Sequence, residues 1–132
     1  MSFLLDTDIC SAYLKGNNAV GNRFNQYGGQ LHLSAASLGE LYTWALRAAA
    51  SPVRLQKLLD MLPLVQLLDV NADVARKFGE LDAHLLDRGL VVTDIDLQNA
   101  ATAIVHNLTM VTHNTQDYAG IPGLRLQDWL SP

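Results

Sequence analysis

The chain holds a single cysteine, Cys10, among its 132 residues. That excludes an intramolecular disulfide framework and a cysteine-based metal site, both of which need several thiols. No histidine stands near Cys10 in sequence, so it reads as a small packing residue rather than a nucleophile. Long apolar runs are also missing: none approaches the roughly 20 residues that a helix needs to cross a bilayer. The opening Met1-Ser2-Phe3-Leu4-Leu5-Asp6 lacks the basic flank and apolar stretch of a signal peptide, and a cytoplasmic location is expected. Positive charge is scarce, with 9 Lys and Arg against 13 Asp and Glu and a net charge of −4. Such a balance counts against holding nucleic acid through surface charge alone. His32, His84, His106 and His113 show no paired spacing on one helix face, which argues against a zinc site.

What is present is a globular composition, 49% hydrophobic and 17% charged, at a length that suits one compact domain over residues 1–132. Phe3-Leu4-Leu5 reads as a short buried strand, with Thr7 or Asp8 capping the helix that carries Ile9, Ala12, Tyr13 and Leu14. A second helix runs through Val20 and Phe24 to the breaker Gly28-Gly29, and Leu31-His32-Leu33 is strand-like. From Ser37 an apolar stripe, Leu38, Leu41, Tyr42, Ala45 and Leu46, predicts a helix with Glu40 in about its first turn. Ser51-Pro52 opens another, up to Pro63. Leu64 to Leu68 is strand-like, and Asn71 caps a long helix through Val74, Phe78, Leu81 and Leu85 to Gly89. A turn through Val91 to Asp96 leads to a helix from Leu97 to His106. Thr109 to Thr112 is a strand, a polar loop leads to Asp117, and Leu124 to Leu126 is a last strand.

Strands alternating with helices indicate an α/β layer structure, helices packed on both faces of a mostly parallel sheet. In such folds ligands bind at the carboxyl ends of the strands, at topological switch points. Asp6, Glu40, Asp96 and Asp117 all map there. Any one of them has an ordinary explanation: Asp6 and Asp96 as helix caps, Glu40 as a solvated residue. Taken together, carboxylates brought close would repel one another unless a cation balanced them. Hard oxygen ligands select Mg²⁺ or Mn²⁺, which bind phosphate oxygens readily, and phosphodiester hydrolysis is the reaction that follows.

These stretches resemble the PIN-domain nucleases, and more closely the VapC-type toxins of bacterial toxin–antitoxin pairs. The resemblance is carried by Leu4-Leu5-Asp6-Thr7-Asp8, by Leu33-Ser34 with Leu38-Gly39-Glu40-Leu41, and by Asp94-Ile95-Asp96 running on to Ala103. Its most specific part is the tail Leu108 to Tyr118, continued by Ile121-Pro122-Gly123-Leu124 to Trp129. It spans nearly the whole chain, although Trp44 to Leu86 matches only in helical pattern. The resemblance implies a PIN-like three-layer sandwich and a metal-dependent endoribonuclease toxin that hydrolyses RNA with a metal-bound water. It also implies a homodimer and inhibition by a cognate antitoxin. It gives Asp6, Glu40 and Asp96 as the core metal-binding acids, Asp117 as a more variable fourth, and Thr112 and Asn114 as supporting polar residues. Asp96 is preferred over Asp94 because it directly precedes the Leu97 helix, and Asp8 reads as a cap or a partner of the ligands. Gln98-Asn99 replaces a more apolar pair, a change expected to touch packing more than ligands.

Two rival readings differ in kind. Asp6-Thr7-Asp8 after a strand also resembles haloacid-dehalogenase-like phosphatases, but those need a later lysine, and Lys15, Lys57 and Lys77 do not supply it in a tail without a closing acidic pair. A non-catalytic PIN-like binding module would leave a group of costly carboxylates without a purpose.

Overall fold

Three consecutive apolar residues, Phe3–Leu5, form the central strand β1 of a computed structural model that describes residues 1–131. Its neighbours are β2, Leu31–Ser34, and β4, Thr109–Val111; outside them lie β3, Gln66–Leu68, and β5, Leu126–Gln127. Every pairing is parallel, in the order β3-β2-β1-β4-β5, with Phe3 opposite Leu31 on one side and Thr109 on the other. Successive strand residues face opposite sides, so Phe3 and Leu5 enter one apolar cluster and Leu4 enters the other. All three are fully buried, as an unbroken apolar run in a doubly covered parallel sheet should be.

Four helices cover the Phe3 face: α1, Thr7–Leu14; α2, Asn18–Gln26; α3, Ala35–Leu46; and α4, Pro52–Met61. Ile9, Phe24, Leu41 and Leu58 bring them into one core with Trp129. The opposite face carries α5, Ala72–Asp87; α6, Asp94–Val105; and the four-residue α7, Thr115–Tyr118. Val74, Leu81, Leu97 and Tyr118 pack there around Leu4 and Met110. The result is the expected three-layer α/β sandwich.

Ser51 and Asn71 cap their helices as predicted, and Asn71 Oδ1 accepts from Val74 N at 3.0 Å; Asn17, read in the sequence only as part of a break, caps α2. Other boundaries move, and the cause is local hydrogen bonding. Asp6 itself, not Thr7 or Asp8, is the N-cap of α1. Ser34 caps α3, so that helix starts two residues before Ser37 and Glu40 falls in its second turn. Thr93 caps α6, whose first turn then contains both Asp94 and Asp96; Asp96 is not a cap. Pro63 sits in a 3₁₀ turn, Leu62–Leu64, which shortens β3. The last strand is Leu126–Gln127 rather than Leu124 to Leu126, and the loop before Asp117 holds α7. Cys10 is buried in α1, and burial pushes its thiol far above the usual range, in keeping with a packing role. Among the described residues no helix is long and apolar enough to cross a membrane.

Trp129 fastens the C-terminal segment to the sheet. Its ring lies 5.2 Å from Phe3 and 5.8 Å from Tyr27, with Nε1 donating to Gln127 Oε1 at 3.1 Å. Trp129→Ala should therefore cost about 3–5 kcal/mol. Urea unfolding followed by circular dichroism should show a lower midpoint at an unchanged slope.

Candidate active site

The chain runs from β1 outward through β2 and β3, then returns to place β4 on the other side of β1. The carboxyl ends of β1 and β4 are thus the topological switch point, where folds of this kind carry their ligand sites. Asp6 follows β1 there, and Thr112 follows β4. The backbone N–H of Asp6 donates to Val111 O at 2.9 Å, which fixes the first of these at the sheet edge.

The Asp6 carboxylate is only 7% exposed and is ringed by donors. Oδ1 accepts from Thr7 N at 2.8 Å and, at a longer 3.5 Å, from Asn99 Nδ2. Oδ2 accepts from Thr112 Oγ1 at 2.9 Å and lies 3.1 Å from the Tyr118 hydroxyl. Burial, and next the charge of Asp8, push its pKa up to about 6 despite the bonds from Thr112, Thr7 and Tyr118.

Two residues connect this carboxylate to further acids. Tyr118 Oη also lies 2.9 Å from Asp96 Oδ1, so one phenol stands between two carboxylates. Thr7, whose N–H bonds Asp6, donates its hydroxyl to Glu40 Oε1 at 2.6 Å. Asp6, Glu40 and Asp96 are therefore brought to one locus from three elements distant in sequence. Asp117 lies exposed on α7 and makes no side-chain hydrogen bond to that locus; Asp94 is exposed and makes none either. Among the described residues no three acidic, imidazole or thiol groups stand close enough to form a finished ligand set. The physical reason is on view: Thr7 and Tyr118 occupy the spaces between the acids.

The supporting residues fall partly as expected. Thr112 donates to Asp6 and accepts from Asn114 N at 3.1 Å. Asp8 neither caps α1 nor touches the acids: its Oδ2 accepts from His113 N at 3.0 Å and Asn114 Nδ2 at 3.3 Å, tying α1 to the loop after β4. Among the described residues its buried Oδ1 has no hydrogen-bond partner, and burial raises its pKa. Asn99 corrects the expectation that this position bears mainly on packing. It is fully buried, accepts from Ser34 Oγ at 2.5 Å, donates to Ser37 Oγ at 3.0 Å, and reaches Asp6. Tyr118 and Asn99 are the site residues that sequence reasoning missed. For Asn99 the one signal was a polar residue in an otherwise apolar helix face. A cavity of about 860 Å³ lies toward the amino ends of the strands, against His32, His106 and Arg125, and no carboxylate lines it among the described residues.

A cluster of acids at the switch point of a parallel α/β sandwich, one buried and the others reaching solvent, is the arrangement to compare with known proteins. Residues 3–122 match the PIN domain, and the chain belongs to that family. A tRNA(fMet)-specific endonuclease VapC of Shigella flexneri is 32% identical over 130 residues, 98% of each chain. Among solved structures, DNA-bound VapBC from Salmonella typhimurium superposes with a TM-score of 0.92 at 28% identity, over 98% of both chains. VapBC2 from Rickettsia felis, bound to a fragment of its promoter DNA, gives 0.91 at 28% identity, over 98% of this chain and 99% of that one.

The raised pKa of Asp6 has a thermodynamic consequence. A carboxyl whose pKa rises from 3.8 to about 6 on folding stabilises the fold fully only below the lower value. That stabilisation is lost as pH climbs through 6, a difference of about 3 kcal/mol. In EDTA, Asp6→Asn should raise the melting temperature at pH 8, with the gain shrinking toward zero as pH falls from 6 to 4. Thermal unfolding across that range checks it.

Proposed function

We propose that this chain is the endoribonuclease toxin of a toxin–antitoxin pair, a single PIN domain over residues 1–132 acting in the cytoplasm. It hydrolyses RNA phosphodiester bonds with Mg²⁺ or Mn²⁺ held by Asp6 and Asp96, with Glu40 and Asp117 completing the site from its rim. The observation that carries this reading is the Asp6–Tyr118–Asp96 contact. A phenol has one hydrogen, so it can satisfy one of the two carboxylates at a time. The other faces it without a proton or a counter-charge.

The donor set fits a hard divalent cation. All the candidate ligands are carboxylate oxygens, and Mg²⁺ is commonly held by one or two carboxylates while keeping several waters, so a closed cage is not required. A bound cation lowers the pKa of water and offsets charge on the phosphate and leaving oxygen. The chain's own residues do the positioning. Thr7, Thr112 and Asn99 fix the orientation of Asp6, and its burial keeps most water from it. Asp96, half-buried, and Glu40, exposed, face the solvent from which a phosphodiester arrives. Because a water is the nucleophile, the 2′-hydroxyl takes no part, and the products carry 5′-phosphate and 3′-hydroxyl ends.

The antitoxin would dock in a groove of about 550 Å³ between α1, α2 and α4, lined by Tyr13, Leu14, Lys15, Lys57 and Met61. An inserted basic side chain would pair with the acids and exclude the cation or RNA. The toxin acts as a homodimer. The name of the Shigella relative makes tRNA(fMet) the first RNA to test.

Purified protein with Mg²⁺ or Mn²⁺ should cleave RNA and lose that activity in EDTA. Asp96→Asn should abolish cleavage while Asp94→Asn retains most of it; the reverse pattern would reassign the ligand. Either cation should raise the melting temperature, and Asp6→Asn should blunt the rise. In bacteria, the chain expressed alone should stop growth, and the small protein encoded beside it should restore it. Absence of both toxicity and cleavage at verified expression would favour a binding module.

A further inference from the structure

Asp6 and Asp96 are secured very differently. Asp6 has contacts from Thr7, Thr112, Tyr118 and Asn99, whereas the only hydrogen bond to the Asp96 side chain, among the described residues, comes from Tyr118 Oη at 2.9 Å. Asp96 stands half-exposed in the first turn of α6, where a carboxylate without a partner samples several rotamers. Tyr118 does not. Its ring is 1% exposed, packed in the same cluster as Leu97, Ala101 and Ile121, and its hydroxyl points at both acids.

We propose that Tyr118 is a positioning residue for the acidic pair, its buried phenol holding Asp96 toward Asp6 before a divalent cation arrives. This rests on the reading that Asp6 and Asp96 bind that cation. The geometry favours positioning over ligation. The phenol is flanked by two carboxylates and by apolar residues, and a tyrosine hydroxyl, ordinarily protonated near neutral pH, acts there as a donor. A hydrogen-bond donor that orients a ligand carboxylate reduces the rotamer freedom lost on binding, and loss of such outer partners commonly weakens metal affinity about 10–100-fold. The packing role and the hydroxyl role are separable, because phenylalanine keeps the ring.

The test is Mn²⁺ binding to the whole purified chain, followed by electron paramagnetic resonance, for wild type, Tyr118→Phe and Asp6→Asn. Circular dichroism and amide NMR spectra establish that each variant is folded. Tyr118→Phe should bind Mn²⁺ on the order of 10–100-fold more weakly. Raising Mn²⁺ should restore much of its RNA cleavage, which a general packing defect would not allow. In wild type, Mn²⁺ should also perturb the near-ultraviolet tyrosine absorption. The change should vanish in Tyr118→Phe although Tyr13, Tyr27 and Tyr42 remain. Equal or tighter Mn²⁺ binding by a folded Tyr118→Phe protein overturns the positioning role while leaving the metal site standing. Wild-type protein that binds no Mn²⁺, or binds it as well after Asp6→Asn, overturns the metal assignment and the positioning role with it.

Discussion

Placing the carboxylate of Asp6 at the buried end of the central strand is the constraint around which the rest of this structure is arranged. A charge there is costly unless donors surround it. The chain meets the requirement from three directions, α1 through Thr7, the end of β4 through Thr112 and α6 through Asn99, while Tyr118 of α7 shares its one hydrogen between Asp6 and Asp96. These bonds offset the burial only in part, which leaves Asp6 with a pKa near 6 and a standing preference for a counter-charge. The same position that weakens the fold suits the residue to hold a cation.

Local sequence pattern exposed much of this arrangement and missed a definable part of it. The apolar run Phe3–Leu5, the caps Ser51 and Asn71 and the helix stripes are short-range signals, and they located the sandwich and put Asp6 at its carboxyl edge. Helix starts slipped wherever a hydroxyl could cap earlier than expected, at Ser34 and Thr93. Tyr118 and Asn99 escaped for another reason: their contacts with Asp6 close over 112 and 93 residues, and no periodicity encodes a pairing of that span. The preference for Asp96 over Asp94 has a geometric counterpart. Residues two apart on a helix point to different sides, so only one of the pair can face Tyr118.

The net charge of −4 takes on a different meaning once the acids are placed. Asp6, Glu40 and Asp96 share one edge of the sheet, whereas His32, His106 and Arg125 line the cavity at the other. A polyanion meets repulsion at the acidic edge, which the proposed divalent cation would relieve. On that reading catalytic competence and RNA access would depend on the same ion.

The central strand is made before β4, yet it pairs with it, and Asp6 draws partners from Thr112 and Tyr118, 106 and 112 residues further along. Contacts of that sequence separation form only after the intervening segments exist. A nascent polypeptide in which β4 and α7 have not yet been made lacks donors that surround Asp6, so the ribosome, itself built largely of RNA, faces no finished site before Tyr118 has been added.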